Sequence, residues 1–222
     1  MKKTLLVAII LMMISTTLPA LALGPLDVDA DLTLMSQYYW RGVVANPDAV
    51  LQPSASAGIM GIGFGFWGNM DLTDIGGKQG EFSEIDYTAT YGLPLPMMDL
   101  EFGLIYYHFP NSDFASTAEI FASGSLGVLL SPTLSVYYDF KEADGSYIEG
   151  GVSYPFALGP KLNLELGLSG GFADSNFSNF HYGTKSTGLT NFLVTAAVPF
   201  DPIPFLTITP SVNYGSQLGD FK

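Results

Sequence analysis

Serine hydrolysis needs a base beside the nucleophile, and this chain has only two histidines, His108 and His181. Ser36, Ser112 and Ser123 are the serines weighed as nucleophiles. None lies in a G-x-S-x-G turn, and no spacing sets one beside either histidine. His108 follows Tyr106 and Tyr107 at the end of an alternating run and reads as an interfacial side chain. His181, in "SNFHYGTK", reads as a solvated loop residue. There is no cysteine, hence no thiol nucleophile, thiolate metal site, disulfide or lipid attachment. Asp48, Asp74, Glu81, Asp113, Asp144 and Asp174 fall in loop-like stretches, where carboxylates could hold Ca²⁺ or Mg²⁺ or bridge to lipopolysaccharide phosphates. No EF-hand pattern accompanies them, so a solvated acidic rim is the plainer reading. The glycines alternate within strand-like runs and open no helix, which excludes a dinucleotide fingerprint. No catalytic residue, metal or cofactor is expected, and the chain reads as a non-enzyme.

The charge balance narrows the partners. Twenty-one acids face eight bases, a formal net charge of −13. Without basic clusters to neutralise phosphates, nucleic acid is excluded. Charged residues are only 13% of the chain, about half the usual share, while 48% are apolar and mean hydropathy is +0.31. That balance suits a chain with lipid on one side.

The N-terminus has the layout of a signal peptide. Lys2 and Lys3 are its positive region, Leu5 to Ile14 its apolar core, and Ala20-Leu21-Ala22 its small-x-small cleavage site. Cleavage is expected after Ala22, leaving residues 23–222 as one domain. Beyond that point no apolar run is long enough for a spanning helix. An exported, aromatic-rich chain of this kind is either an outer-membrane β-barrel or a soluble secreted β-sandwich.

Period-two alternation runs through the rest. In "GIGFGFWGNMDL", Ile62, Phe64, Phe66, Met70 and Leu72 alternate with Gly61, Gly63, Gly65, Trp67, Asn69 and Asp71. Eleven segments follow this rule, roughly 30–42, 51–60, 61–72, 82–93, 98–109, 117–130, 133–141, 146–157, 161–173, 189–200 and 204–215. Their connectors alternate between short, often proline-bearing turns and polar, acidic, mostly longer loops. That is the plan of an all-β, antiparallel up-and-down transmembrane barrel of about 12 strands.

In "LTLMSQYYWRGVV", one continuous strand would put Leu32, Leu34, Tyr38 and Trp40 on lipid and Arg41 in the lumen. A lipid-facing arginine costs roughly 2–4 kcal/mol at mid-bilayer, so the inward side is expected, with Glu84 or Asp86 as partner. Pore-lining candidates are Arg41, Glu84, Asp86, Glu101, Glu119, Asp139, Lys141, Glu149, Lys161 and Glu165, an acidic excess that favours cations. Trp40, Tyr38, Tyr106, Tyr138 and Tyr154 are candidates for an aromatic girdle.

Several of these stretches together resemble the TorF-type porin family of Gram-negative bacteria. "SQYYWRGV" is similar to its Y-x-x-RG opening, "GIGFGFWGNMDL" to its glycine-rich W-G strand, and "EIDYTATYG" to its E-x-D-x-x-x-x-Y-G strand. "AEIFASGS" and "SYIEGGVSYPF" fall where further strands of that pattern are expected. The matching positions are Arg41, Gly42, Trp67, Gly68, Glu84, Asp86, Tyr91 and Gly92. The resemblance implies an outer-membrane barrel without catalytic residues. The end of the chain departs from it. Such barrels have an even strand number and close on a terminal aromatic residue. Here the eleventh strand runs into "SQLGDFK", so a twelfth, C-terminal strand is expected to be missing, or one strand miscounted near Gly58–Gly63.

The expected function is passive diffusion of small hydrophilic solutes or ions, cation-leaning, through a Gram-negative outer-membrane channel. The alternative is a non-conducting barrel that recruits a partner or supports the envelope. Expected partners are outer-membrane lipid, lipopolysaccharide, the barrel-assembly machinery and small solutes.

Overall fold

The computed structural model describes residues 9–18, 26–74, 78–160, 162–204 and 206–221. Twelve antiparallel strands form a closed up-and-down barrel, each paired with its neighbours in chain order. They are β1 (Ile9–Leu18), β2 (Asp27–Met35), β5 (Val50–Ile59), β6 (Ile62–Asp71), β7 (Phe82–Leu95) and β8 (Met98–His108). The circuit continues through β9 (Thr117–Leu126), β10 (Thr133–Asp139), β11 (Gly145–Gly159), β12 (Leu162–Ala173), β13 (Gly188–Ala197) and β15 (Leu206–Gln217). The short β14 (Phe200–Ile203) folds back on β15. Between β2 and β5 the chain makes a separate hairpin, β3 (Tyr38–Trp40) and β4 (Val43–Asn46). One helix, α1 (Ser175–Tyr182), lies in the β12–β13 connection.

Ten of the eleven expected segments match barrel strands to within a few residues. The eleventh is corrected. The 30–42 segment is not one strand: β2 stops at Met35, and the chain re-forms as the β3–β4 hairpin. Arg41 (φ +44°) and Gly42 (φ +92°) occupy its two-residue tip. Both central residues of a type I′ turn need positive φ, and glycine takes the second at no steric cost. A strand-like residue pattern cannot report that reversal.

The barrel has the twelve strands expected, but the twelfth is not a missing C-terminal strand. The closing strand is β1, drawn from the stretch expected to be a signal-peptide core. It pairs Ile9–Thr17 with Gly215–Thr207 of β15 and Met13–Leu18 with Met35–Ala30 of β2. Its second half alternates as a barrel strand does: Ile14 is half-exposed on the outward face, while the Ser15 hydroxyl donates to the inward Asp31 carboxylate at 2.8 Å. A short apolar run has no period of its own, so export signal and strand look alike in sequence.

The two ends differ as the connectors suggested. At the turn end, β5 and β6 meet through Met60 (φ +53°) and Gly61 (φ +84°), and β7 meets β8 through Pro96 and Met97 (φ +64°). Proline followed by a positive-φ residue is a type II turn. At the loop end stand the β3–β4 hairpin, the 72–81, 109–116 and 140–144 connections, and α1.

Alternation sorts the side chains. Phe64, Tyr87, Tyr91, Phe102, Leu134, Phe156, Leu166 and Val212 are all exposed on the outward face. Such an apolar outward face is compatible with burial in lipid. Glycines and polar residues look inward, together with two aromatic groups that pack there: Tyr38 with Val50 and Met35, and Tyr147 with Ala173 and Phe177.

Candidate functional site: the lumen constriction

The β3–β4 hairpin folds into the loop end of the barrel and carries Arg41 across it. Its guanidinium meets Glu119 of β9 end-on, Nη1 to Oε1 at 2.6 Å and Nη2 to Oε2 at 2.9 Å. The fork of an arginine fits a carboxylate in that geometry. Tyr107 donates its hydroxyl to the same Oε2 at 2.8 Å. The planar cation is stacked among rings: its Cζ lies 4.2 Å from the Tyr137 centroid, 4.5 Å from Trp40, 4.5 Å from Tyr147 and 5.4 Å from Phe177. Both partners are sealed, with side-chain exposures of 8% and 1%. Arg41 is therefore a lumen residue, but not from a barrel strand, and its partner is Glu119.

Helix α1 covers this clamp. Asp174 caps its N-terminus, accepting from the backbone N–H groups of Asn176 and Phe177, and a second Asp174 oxygen takes the Ser146 N–H at 2.7 Å. Gly183, in the left-handed region, ends it. The Asn176 amide donates to the Asp144 carbonyl at 2.7 Å. At the other end Tyr182 donates to the Arg41 carbonyl at 2.8 Å. Phe177 is fully buried, 5.3 Å from Tyr147 and 4.2 Å from His181, ring to ring. This close seat needs a glycine beneath it: a Cβ on Gly145 would stand 2.3 Å from the Phe177 nitrogen.

His181 is not the solvated residue expected. It packs against Trp40 and Phe177, and its Nε2 has no hydrogen-bond partner among the described residues. Burial, with the nearby Arg41 cation, lowers it to a pKa of about 4, so it is neutral at pH 7.

The remaining lining candidates divide clearly. Glu84 accepts the Tyr38 hydroxyl at 2.9 Å, and Tyr38 in turn leans on Trp67. Asp139 accepts from Thr117 at 2.7 Å. Strand register puts Asp86, Glu101, Glu149 and Glu165 on the inward face too. The Asp86 Oδ1 atom is buried without a hydrogen-bond partner among the described residues. Asp86 borders two lumen cavities of about 530 and 380 Å³, one toward Trp67 and Met13, the other toward Tyr147 and Glu149. Lys141 is corrected: it lies in the β10–β11 loop, its Nζ donating to the Ser116 carbonyl. Lys161 lies outside the described residues. No lysine or arginine stands on a barrel strand among the described residues.

The girdle divides as well. Tyr106, Tyr138 and Tyr154 face outward and are about two-fifths exposed. Tyr38 and Trp40 are corrected, since the hairpin carries both inside. The sequence reading also missed Tyr107, Tyr137 and Tyr147. They share the inward parity of Glu119, Asp139 and Glu149, but a search for charges passes over them. Phe177 and Tyr182 carry no such signal, because they lie in α1, outside the alternating strands.

Two of the nucleophile candidates have other partners than a histidine. Ser123 bonds Ser135 within the lumen at 2.8 Å, and Ser112 accepts the Phe114 N–H. His108 Nδ1 lies 3.1 Å from Ser116 Oγ, a serine not among the candidates, and no carboxylate is a hydrogen-bond partner of that ring among the described residues. Of the loop acids, Asp48 holds Thr73 and Asp174 caps α1. Among the described residues no group of acids and histidines has the spacing to hold a metal ion. No family model and no curated protein matches the chain.

Proposed function

We propose that the chain is a Gram-negative outer-membrane protein of the porin-like class, akin to the TorF-type porins, passing ions and small hydrophilic solutes by diffusion with a leaning to cations. The observation that carries this is the inward face. It turns Asp86, Glu101, Glu149 and Glu165 inward, Asp86 and Glu149 onto a lumen cavity, while among the described residues Arg41 is the one cation there, its charge already met by Glu119. Such a lining raises the local concentration of cations. With the loops outside, β3–β4 and α1 narrow the external mouth, so conductance is expected to be small. The chain needs no cofactor in this role. Lipid, lipopolysaccharide and the assembly machinery are its proposed surroundings.

A non-conducting barrel is the second reading, and the sealed Arg41–Glu119 clamp favours it. Export under a signal at residues 1–22 belongs to the proposal and competes with β1, because cleavage after Ala22 would take that strand away and leave β2 and β15 with unpaired edges. Planar-bilayer recording of the refolded chain under a KCl gradient tests conduction. Small discrete steps with a cation-selective reversal potential support the first reading. A folded, silent barrel refutes it in favour of the second.

A further inference from the structure

A third cavity, of about 510 Å³, opens at the loop end between the hairpin, the β8–β9 loop and α1. Its size is that of a small-ligand pocket. Its walls are apolar and come from three separate connections: Trp40 and Val43 from the hairpin, Phe114 from the β8–β9 loop, and Phe180 from α1. Its floor is acidic, with Glu84, Glu119 and Asp139. Arg41 answers Glu119, and Asp139 is held by Thr117 and the backbone N–H groups of Lys141 and Glu142. Among the described residues, Glu84 keeps only the Tyr38 hydroxyl. The floor thus carries more negative charge than its one guanidinium cancels.

We propose that this cavity binds a small organic cation with an apolar body, an alkyl- or arylammonium, entering from the loop end. The match is chemical. A cation is drawn by the carboxylates and by the faces of Trp40 and Phe180, while its hydrocarbon part replaces water against Val43 and Phe114. An anion of the same shape is opposed by the charge that Arg41 leaves uncancelled. A neutral analogue gains only the burial. His181 completes the wall as a neutral imidazole and adds no repelling charge at pH 7. Binding here requires no ion flow, so it stands or falls separately from conduction.

The chain has two tryptophans, so Trp67→Phe leaves Trp40 in the wall as the only indole reporter. The full refolded chain in phosphatidylcholine vesicles, its folding verified by gel shift, is titrated with phenethylammonium, 2-phenylethanol and 3-phenylpropionate at pH 7.5. The ammonium is expected to change Trp40 emission saturably, the alcohol to bind about tenfold more weakly, and the carboxylate not at all. Glu84→Gln is expected to erase most of the preference for the ammonium over the alcohol. Because that change also touches Tyr38, Phe114→Ser serves as a second variant. Phe114 is 75% exposed on a loop, and its loss is expected to weaken the ammonium about threefold without unfolding the barrel. Equal affinity for alcohol and ammonium would overturn the proposal, leaving only an apolar cleft. So would an emission unchanged by the ammonium in a verified folded barrel.

Discussion

Arg41→Ala should release the constriction. The guanidinium makes two hydrogen bonds to a Glu119 that is only 1% exposed, and four rings stack around it. Truncation leaves Glu119 buried with the Tyr107 hydroxyl as its remaining hydrogen-bond donor. Removing one member of a buried ion pair costs about 3–5 kcal/mol, most of it for the stranded charge. The cost falls on docking of the hairpin and α1, since Arg41 belongs to the hairpin and contributes nothing to the barrel ladder. Arg41→Met with Glu119→Met removes both charges at similar volume and should sit within about 1 kcal/mol of the parent. Urea unfolding in lipid vesicles in a Trp67→Phe background, read separately by Trp40 fluorescence and by gel mobility of the barrel, resolves the two events. Arg41→Ala should lose the fluorescence transition early while the gel transition stays in place, and its conductance should rise. An Arg41→Ala protein with an unshifted fluorescence midpoint and parental conductance would refute the view that this clamp holds the plug.

Other perturbations reach the same plug and the seam of the barrel. His181 is depressed to a pKa of about 4 from an ordinary 6.5, so its contribution to docking is complete above about pH 6.5 and is lost as pH falls toward 4; at roughly 1.4 kcal/mol per unit this is about 3–4 kcal/mol, and the Trp40 emission of a Trp67→Phe chain should change over that window, but not when His181→Phe is added. Gly145→Ala drives a methyl to 2.3 Å from the Phe177 nitrogen and should expose the α1 amides to hydrogen exchange by at least about tenfold, whereas Gly183, with open space around its Cβ position, should tolerate asparagine. A chain begun at residue 23 lacks β1 and its pairings to both β2 and β15; it should give no heat-modifiable barrel band, and a compact band from it would show β1 to be dispensable.

Much of the barrel was legible from side-chain parity. In β6 the alternation of Phe64 and Phe66 with Gly65 and Trp67 is enough to put Trp67 inside, where it meets Tyr38. In β7 the same rule sends Tyr87 and Tyr91 outward and Glu84 and Asp86 inward. Proline turns and acidic loops likewise marked the two ends, because turn chemistry is local. The candidate site was only half legible. Its acids were found because charge on an inward face stands out in an apolar sequence.

The amino-acid sequence by itself determined that this is an antiparallel barrel, which faces its strands present, and that the inner face is acidic. Those features follow from a period of two and from turn residues, each readable within a dozen positions. Only the tertiary structure decided what fills the loop end and what closes the seam. Arg41 and Glu119 are 78 positions apart, and Arg41 and Tyr182 are 141 apart. Their meeting depends on a two-residue reversal at Arg41–Gly42, which turns a would-be strand into a plug. The seam depends on whether a short apolar run pairs with β2 and β15, and hydrophobicity without a period leaves that to the partners available in space.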